Sequence, residues 1–259
     1  MNILRRELKV NFKYTLIWTC VILSIALLTI SFYPLIKNDI AEFQDIMKNF
    51  PTQVQAIFNL EMLKINNILG YYISFPIRFI TLCMMIYSMI LGINIISKEK
   101  RLKTLDFIYS KPITRFKLFN IKIVSALLLT TISNIILFFL IYFILIGFDN
   151  NVNMYTYSLI NFSIYLISIL YISLGLIISF VIKNVKNNIT ISLAIVIGLN
   201  SLAVFMDEKV RFCLPLRYFD MNYIYDNKKY ELKYLILCIS LTICFYIISN
   251  IIHKNKDIL

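Results

Sequence analysis

The side chains that usually carry out acid–base, nucleophilic or metal chemistry are sparse in this sequence. His253 is the only histidine, which excludes an HExxH metal motif and a Ser–His or Cys–His nucleophile pair within an apolar segment. The five cysteines show no CxxC or zinc spacing, and the five glycines are too scattered to form a phosphate-binding loop. We therefore predict no catalytic residue, no metal site and no cofactor-binding site on this chain.

One short segment, residues 97–115, stands out because it is strongly basic and lies between two long apolar runs. Its sequence is SKEKRLKTLDFIYSKPITR. Four apolar residues recur in it at helical spacing: Leu102, Leu105, Ile108 and Tyr109. This spacing predicts a short amphipathic helix that Pro112 ends, because proline disfavours helical geometry in the residue before it. Thr114 can then cap the next helix. Such a helix suits either of two uses, lying on lipid or inserting into a groove on a partner protein.

The composition around this segment is that of a membrane protein. The chain has 259 residues, of which 59% are hydrophobic and 15% charged, whereas an average soluble domain is roughly 45–50% apolar and about 25% charged. Six runs are long and apolar enough to cross roughly 30 Å of hydrocarbon as helices. They are residues 16–35, 73–96, 123–147, 159–182, 189–205 and 234–252. We predict an all-α integral membrane protein, with residues 1–259 forming a single transmembrane domain of six helices.

The distribution of charge predicts the orientation of these spans. If the N-terminus is cytoplasmic, the inside segments hold 16 basic and four acidic residues, and the rest of the chain holds 10 of each. The whole net charge of +12 then lies inside, as the positive-inside rule expects. We predict a multi-pass protein of the plasma membrane with both termini cytoplasmic. Because the basic residues flank apolar runs, nucleic-acid binding is disfavoured.

The segment before the first span is basic on one side. At 100° per residue, four cations share an arc of about 100°: Arg5, Arg6, Lys9 and Lys13. We predict an amphipathic surface helix whose basic face contacts anionic membrane lipid. A short disordered basic tail is the alternative.

Two weaker signals lie inside the spans. Arg78 is the only charged residue within the predicted bounds, and it is either a contact for an anionic substrate or headgroup, or an arginine snorkelling to the outer interface, which we favour. The small-residue pairs Ser88/Gly92 and Gly175/Ser179 permit close approach of their helices.

The loop at residues 206–233 is rich in aromatic residues. We expect these side chains to form an interfacial belt, with a hairpin dipping into the membrane as the alternative.

The basic segment resembles the cytoplasmic-loop signature of type-two ATP-binding-cassette (ABC-2 type) permeases. The residues that match that pattern are Glu99, Thr104, Leu105, Pro112, Ile113 and Arg115. Lys103 stands where the family has glycine, and the second acid of the pattern is present as Asp106. Four further stretches resemble those found at the corresponding positions in this family: MNILRREL, LGYY, LPLRYFD and HKNKDIL.

The resemblance implies the membrane subunit of an exporter. Two such permeases pair, as a homodimer or a heterodimer, and each binds a separate cytoplasmic ATPase that carries the ATP and Mg. A coupling helix between spans two and three would contact that ATPase through Glu99, Leu102, Thr104, Leu105, Ile108, Pro112 and Arg115. In it the apolar stripe forms the plug, Glu99 and Arg115 pair with the partner or each other, and Pro112 sets the turn. A peptide antibiotic, a lipid, an ion or a drug all remain open as substrate.

Two other classes of function compete with this interpretation. A six-span membrane enzyme is disfavoured by the single histidine and by spans without carboxylates. A non-transporting membrane module could use the same loop to recruit a signalling or assembly partner.

Overall fold

The protein is described by a computed structural model that covers residues 2–38, 49, 67–102, 114–181, 187–205, 211–212 and 214–255. The elements in this part of the chain are helical. They are α1 (Asn2–Ser31), α2 (Tyr33–Asn38), α3 (Ile68–Ser74), α4 (Pro76–Leu102), α5 (Arg115–Phe148), α6 (Met154–Val181), α7 (Asn188–Phe205), a 3₁₀ turn (Pro215–Arg217), α8 (Met221–Asn227) and α9 (Leu232–Asn255). This agrees with the expected all-α class, because a helix satisfies its own backbone hydrogen bonds in lipid.

Five of these helices are long and apolar enough to cross a membrane. The candidate spans are Ile3–Lys37, Pro76–Ile95, Phe116–Phe148, Met154–Val181 and Leu232–Lys254, of which the first includes both α1 and α2. The chain is therefore a multi-pass membrane protein. The sixth predicted span coincides with α7, whose apolar part, Asn188–Leu202, is shorter than the other five. At 18 residues α7 is about 27 Å long, slightly less than the hydrocarbon thickness of about 30 Å.

The N-terminal segment is helical but is not a separate surface helix. Helix α1 runs unbroken through the basic residues into the first span, over 30 residues, or about 45 Å. That exceeds the hydrocarbon thickness by about 15 Å, so α1 is long enough to extend beyond the hydrocarbon at its basic N-terminal end. Arg5, Arg6, Lys9 and Lys13 are all exposed along this extension.

Helix α4 also continues further than the sequence predicted. It runs to Leu102, so residues 97–102 belong to the second span's helix and not to a separate coupling helix. The stretch KEKRL has no proline or glycine, and lysine, glutamate and arginine are good helix formers. The remainder of the predicted coupling helix, residues 103–113, lies outside the described residues.

Helix α4 is the centre of the bundle. It packs most extensively against α6 and also contacts α1, α5 and α7, while α1 packs along α5 and α9 along α6. Most of α4 is buried, whereas α9 exposes a row of isoleucines at helical spacing: Ile236, Ile239, Ile243, Ile247 and Ile251. In a membrane-spanning chain such a row suits contact with lipid.

Two glycines make a close contact between α4 and α6. A Cβ atom built on Gly175 of α6 would lie 2.6 Å from the Met89 carbonyl oxygen and 3.0 Å from the Gly92 Cα atom of α4. The close approach expected for Gly92 and Gly175 is therefore confirmed, and they meet each other.

Hydroxyl groups join the helices within the membrane. Thr19 of α1 and Ser133 of α5 are 2.8 Å apart, and the Tyr87 hydroxyl donates to Thr15 Oγ1 at 3.0 Å. Such bonds between transmembrane helices contribute about 0.6–2 kcal/mol each. They hold α1, α4 and α5 together at mid-bundle.

Candidate functional site

The two helix ends that flank residues 103–113 are joined directly. Lys122 of α5 donates from Nζ to the Ile95 carbonyl oxygen of α4 at 3.1 Å. The lysine is only 5% exposed, so this bond is shielded from water. The last turns of α4 and the first turns of α5 are thereby held as one unit at the base of the segment. We call this end of the bundle, where α4 ends and α5 begins, the basic end.

Helices α1 and α7 attach to the last turns of α4. Lys98 Nζ donates to Asn11 Oδ1 of α1 at 3.4 Å. Asn188, at the start of α7, donates from Nδ2 to Asn94 Oδ1 and lies 3.3 Å from Ser97 Oγ. These hydrogen bonds join the last turns of α4 to both neighbouring helices.

Helices α6 and α9 attach to the first turns of α5. The His253 ring of α9 packs against Phe119 at 4.7 Å between ring centroids and against Phe180 of α6 at 5.9 Å. The Tyr246 hydroxyl donates to Asn120 Oδ1 at 2.8 Å. The only histidine of the chain thus packs among aromatic rings where three helices meet.

The start of α5 agrees with the sequence analysis. Thr114 is its N-cap, and the threonine Oγ1 accepts from the Lys117 backbone N–H at 3.4 Å. The expected cap is confirmed. It directs α5 away from residues 103–113 and into the third span.

The predicted coupling residues fall at or beyond the limits of the described chain. Glu99 and Leu102 lie on the last turns of α4 and Arg115 begins α5, but their side chains are outside the described part. The other four also lie outside the described residues: Thr104, Leu105, Ile108 and Pro112. Their assignment to ATPase contact stays a prediction.

Arg78 lies far from this site, near the start of α4, and is half-buried. Its guanidinium interacts electrostatically with Asp220. Asp220 caps α8, accepting from the backbone N–H groups of Asn222 and Tyr223. Interaction with a carboxylate of the same chain is therefore a third interpretation of Arg78, in addition to substrate contact and snorkelling.

The loop before α9 is a packed structure held by one arginine. Arg211 lies 3.0 Å from Glu231 Oε1, donates to the Arg217 carbonyl oxygen at 2.7 Å and stacks 4.1 Å over the Tyr234 ring. Tyr218 and Phe219 are 2% and 5% exposed. These two aromatic residues are therefore packed within the protein, whereas Phe212 of the same loop is 55% exposed. The interfacial belt expected for this loop stays a prediction.

Sequence reasoning missed the residues that tie the basic end together. In the sequence, Lys122 contributes only to the charge that predicts the topology. The amides of Asn94 and Asn188 form no recognisable spacing, because their partners are on other helices. Within the described ranges, no three His, Cys, Asp or Glu residues are grouped closely enough to hold a metal ion.

We expect Lys122→Met to loosen the basic end. Methionine keeps a similar length but leaves the Ile95 carbonyl oxygen without its charged donor, and such bonds contribute about 1.5–3 kcal/mol. The midpoint of thermal unfolding in detergent should fall by several degrees. Lys117→Met, an exposed lysine on the same helix, is the control and should change stability by less than about 0.5 kcal/mol. Equal midpoints for both variants would show that the Lys122 bond does not hold the two helices.

Comparison with known proteins assigns the family. A model described as "ABC-2 family transporter protein" matches residues 1–210 of the chain. Searches of curated proteins and of solved structures found no match. The matched residues contain helices α1 to α7. They therefore include every residue described above at the basic end except those of α9. The family supplies the membrane component of its transporters and not the catalytic ATPase. The chain belongs to the ABC-2 family of transporter proteins.

Proposed function

We propose that this chain forms the substrate pathway of an ATP-binding-cassette exporter and is driven by a separate cytoplasmic ATPase bound at residues 103–113. The observation that carries the proposal is the Lys122–Ile95 bond, which joins both ends of that segment. Family membership supports it, since ABC-2 permeases generally work with a cytoplasmic ABC ATPase. ATP and Mg belong to that partner.

The contacts at the basic end suit the transmission of motion. A push on residues 103–113 acts on α4 and α5 together, because Lys122 holds them. It then reaches α1 through Asn11 and α7 through Asn188. The ATPase can shift the equilibrium between two transporter states only by contacting them differently. The segment must therefore stay bound in both states while the helices tilt.

The proposal includes a second permease subunit, identical or homologous, and a plasma-membrane location with both termini cytoplasmic. The orientation is supported by the concentration of exposed cations near the start of α1, at Arg5, Arg6, Lys9 and Lys13. Cytoplasmic loops of membrane proteins carry such an excess of lysine and arginine.

The orientation is tested with two exposed lysines from opposite ends of the bundle. In a background without native cysteines, we expect a membrane-impermeant maleimide to label Lys229→Cys in intact cells. Lys117→Cys should react only after permeabilisation, because the proposed topology places it inside. Both side chains are exposed, so access to the reagent and not burial decides the result. Labelling of Lys117→Cys in intact cells would overturn the orientation and the ATPase site with it.

The transport role is tested by co-purification. Under the proposal, the full-length chain retains a cytoplasmic ATPase in mild detergent, and the rate of ATP hydrolysis by the complex rises when its substrate is added. Peptide, lipid and drug candidates can be screened on this rate. A retained partner without ATPase activity would instead favour a recruitment module.

A further inference from the structure

A groove at the basic end lies between the start of α1 and the start of α5. It has a volume of about 440 Å³ and is lined by Leu4, Phe116, Lys117, Asn120, Ile121 and Val124. Its walls are mostly apolar, with one ammonium group and one amide among them. We propose that this groove binds one anionic phospholipid, with an acyl chain against the apolar wall and the headgroup phosphate at Lys117 and Asn120.

The depth of the groove suits a lipid. Helix α5 has 34 residues, so at about 51 Å it exceeds the hydrocarbon layer by about 20 Å. Its first turns therefore lie at headgroup level, as do those of α1. From Lys117 to Val124 the α5 wall descends about 10 Å along one face. The polar groups stand at the headgroup level and the apolar ones point to the acyl region.

The charge of the groove selects an anionic headgroup. Lys117 is exposed, and Arg5, next to Leu4, is exposed as well. No acid lines the groove. Glu7, the one acid in the first turns of α1, is three residues after Leu4 and is not among the residues that line the groove. A phosphate at this site therefore meets the Lys117 ammonium and no carboxylate among the lining residues.

The Asn120 side chain can donate to a ligand. Its Oδ1 atom accepts the Tyr246 hydroxyl at 2.8 Å, so Nδ2 is the group left to face a phosphate oxygen. The combination of a lysine with an amide N–H distinguishes a phosphate site from a uniformly apolar contact with lipid tails. The bound lipid would sit against α5 directly after residues 103–113.

Binding is measured by native mass spectrometry of the purified full-length chain. Phosphatidylglycerol and phosphatidylcholine with identical acyl chains are titrated separately. We expect the first phosphatidylglycerol to bind at least about tenfold more tightly. Lys117→Ala combined with Asn120→Ala should remove that preference and leave phosphatidylcholine binding unchanged. The matched control, Lys229→Ala with Asn227→Ala, alters an exposed lysine and asparagine at the opposite end and should change neither lipid by more than about twofold.

A second variant tests the groove without changing its charge. Val124→Trp fills the apolar wall, and since Val124 is 45% exposed the protein should still fold. It should weaken phosphatidylglycerol binding although Lys117 is retained. Equal affinity for the two lipids in the wild-type chain, or an unchanged preference in both groove variants, would overturn the site. Placing this lipid in the inner leaflet rests on the proposed function, but the binding measurement in detergent does not, so the two can fail separately.

Discussion

Replacing Gly175 with leucine is expected to abolish the folded helix bundle. A Cβ atom at this position would already lie 2.6 Å from the Met89 carbonyl oxygen and 3.0 Å from the Gly92 Cα atom. Both neighbours are backbone atoms of α4, so no side chain can rotate away. Overpacking of a core typically costs about 1–3 kcal/mol, and here whole helices must separate.

The cost is large because α4 and α6 form the main contact of the bundle. Lipid tails are as apolar as leucine, so close packing and interhelical hydrogen bonds, not hydrophobic burial, hold transmembrane helices together. Moving α6 outward would loosen the hydroxyl contacts of its neighbours too. We expect monodisperse protein in fluorescence-detected size exclusion to fall by about tenfold or more, since each 1.4 kcal/mol is one decade.

Gly198→Leu is the matched control. Gly198 is also a helical glycine, in α7, but a Cβ atom built there meets nothing within 4 Å. The two variants share the same change in helix propensity and apolar surface, so only the helix contact differs. Gly175→Ala should fall between wild type and Gly175→Leu. If Gly175→Leu eluted like Gly198→Leu, the close approach of α4 and α6 would not support the fold.

Replacing Leu105 with glutamate is expected to weaken ATPase binding about tenfold or more. Leu105 is part of the apolar stripe proposed to insert into a groove of the ATPase. Burying a leucine contributes roughly 1.5–3 kcal/mol, and a buried carboxylate adds a desolvation penalty. About 1.4 kcal/mol is one decade of affinity. The position lies outside every span predicted from the sequence, so the permease should still insert into the membrane.

Lys103→Glu controls for the change of charge in the same segment, on the side predicted to be solvated. Lys103→Glu should weaken ATPase binding much less than Leu105→Glu. The measurement is the ATPase recovered by pull-down from detergent, normalised to the permease present. A Leu105→Glu permease that retains its partner as well as wild type would show that the stripe faces lipid and that this segment does not couple the two subunits.

Leu105→Glu and Lys122→Met are expected to change different properties of the protein. Leu105→Glu should lower the amount of ATPase bound, whereas Lys122→Met removes the Nζ to Ile95 bond without touching the segment itself. The second variant should therefore bind ATPase normally and lose stability at the basic end.

The sequence by itself determined which segments enter the membrane and what class of protein this is. Hydropathy located five of the helices long enough to span, because only an unbroken apolar run can remain in hydrocarbon as a helix. The residue pattern of the 97–115 segment pointed to the family that the match over residues 1–210 then assigned. The cap at Thr114 was also predictable, since capping depends on neighbouring residues alone.

Only the tertiary structure decided where the helices begin and end and which of their faces meet. Helix α1 continues without a break through the basic segment, since that segment contains no proline or glycine to end it, and the length of a helix is not limited by the bilayer. The Gly92–Gly175 contact and the Lys122 bond to Ile95 join residues more than 25 positions apart. Hydropathy cannot choose such partners, because every apolar face is equally soluble in lipid and only close packing and hydrogen bonds distinguish one helix from another.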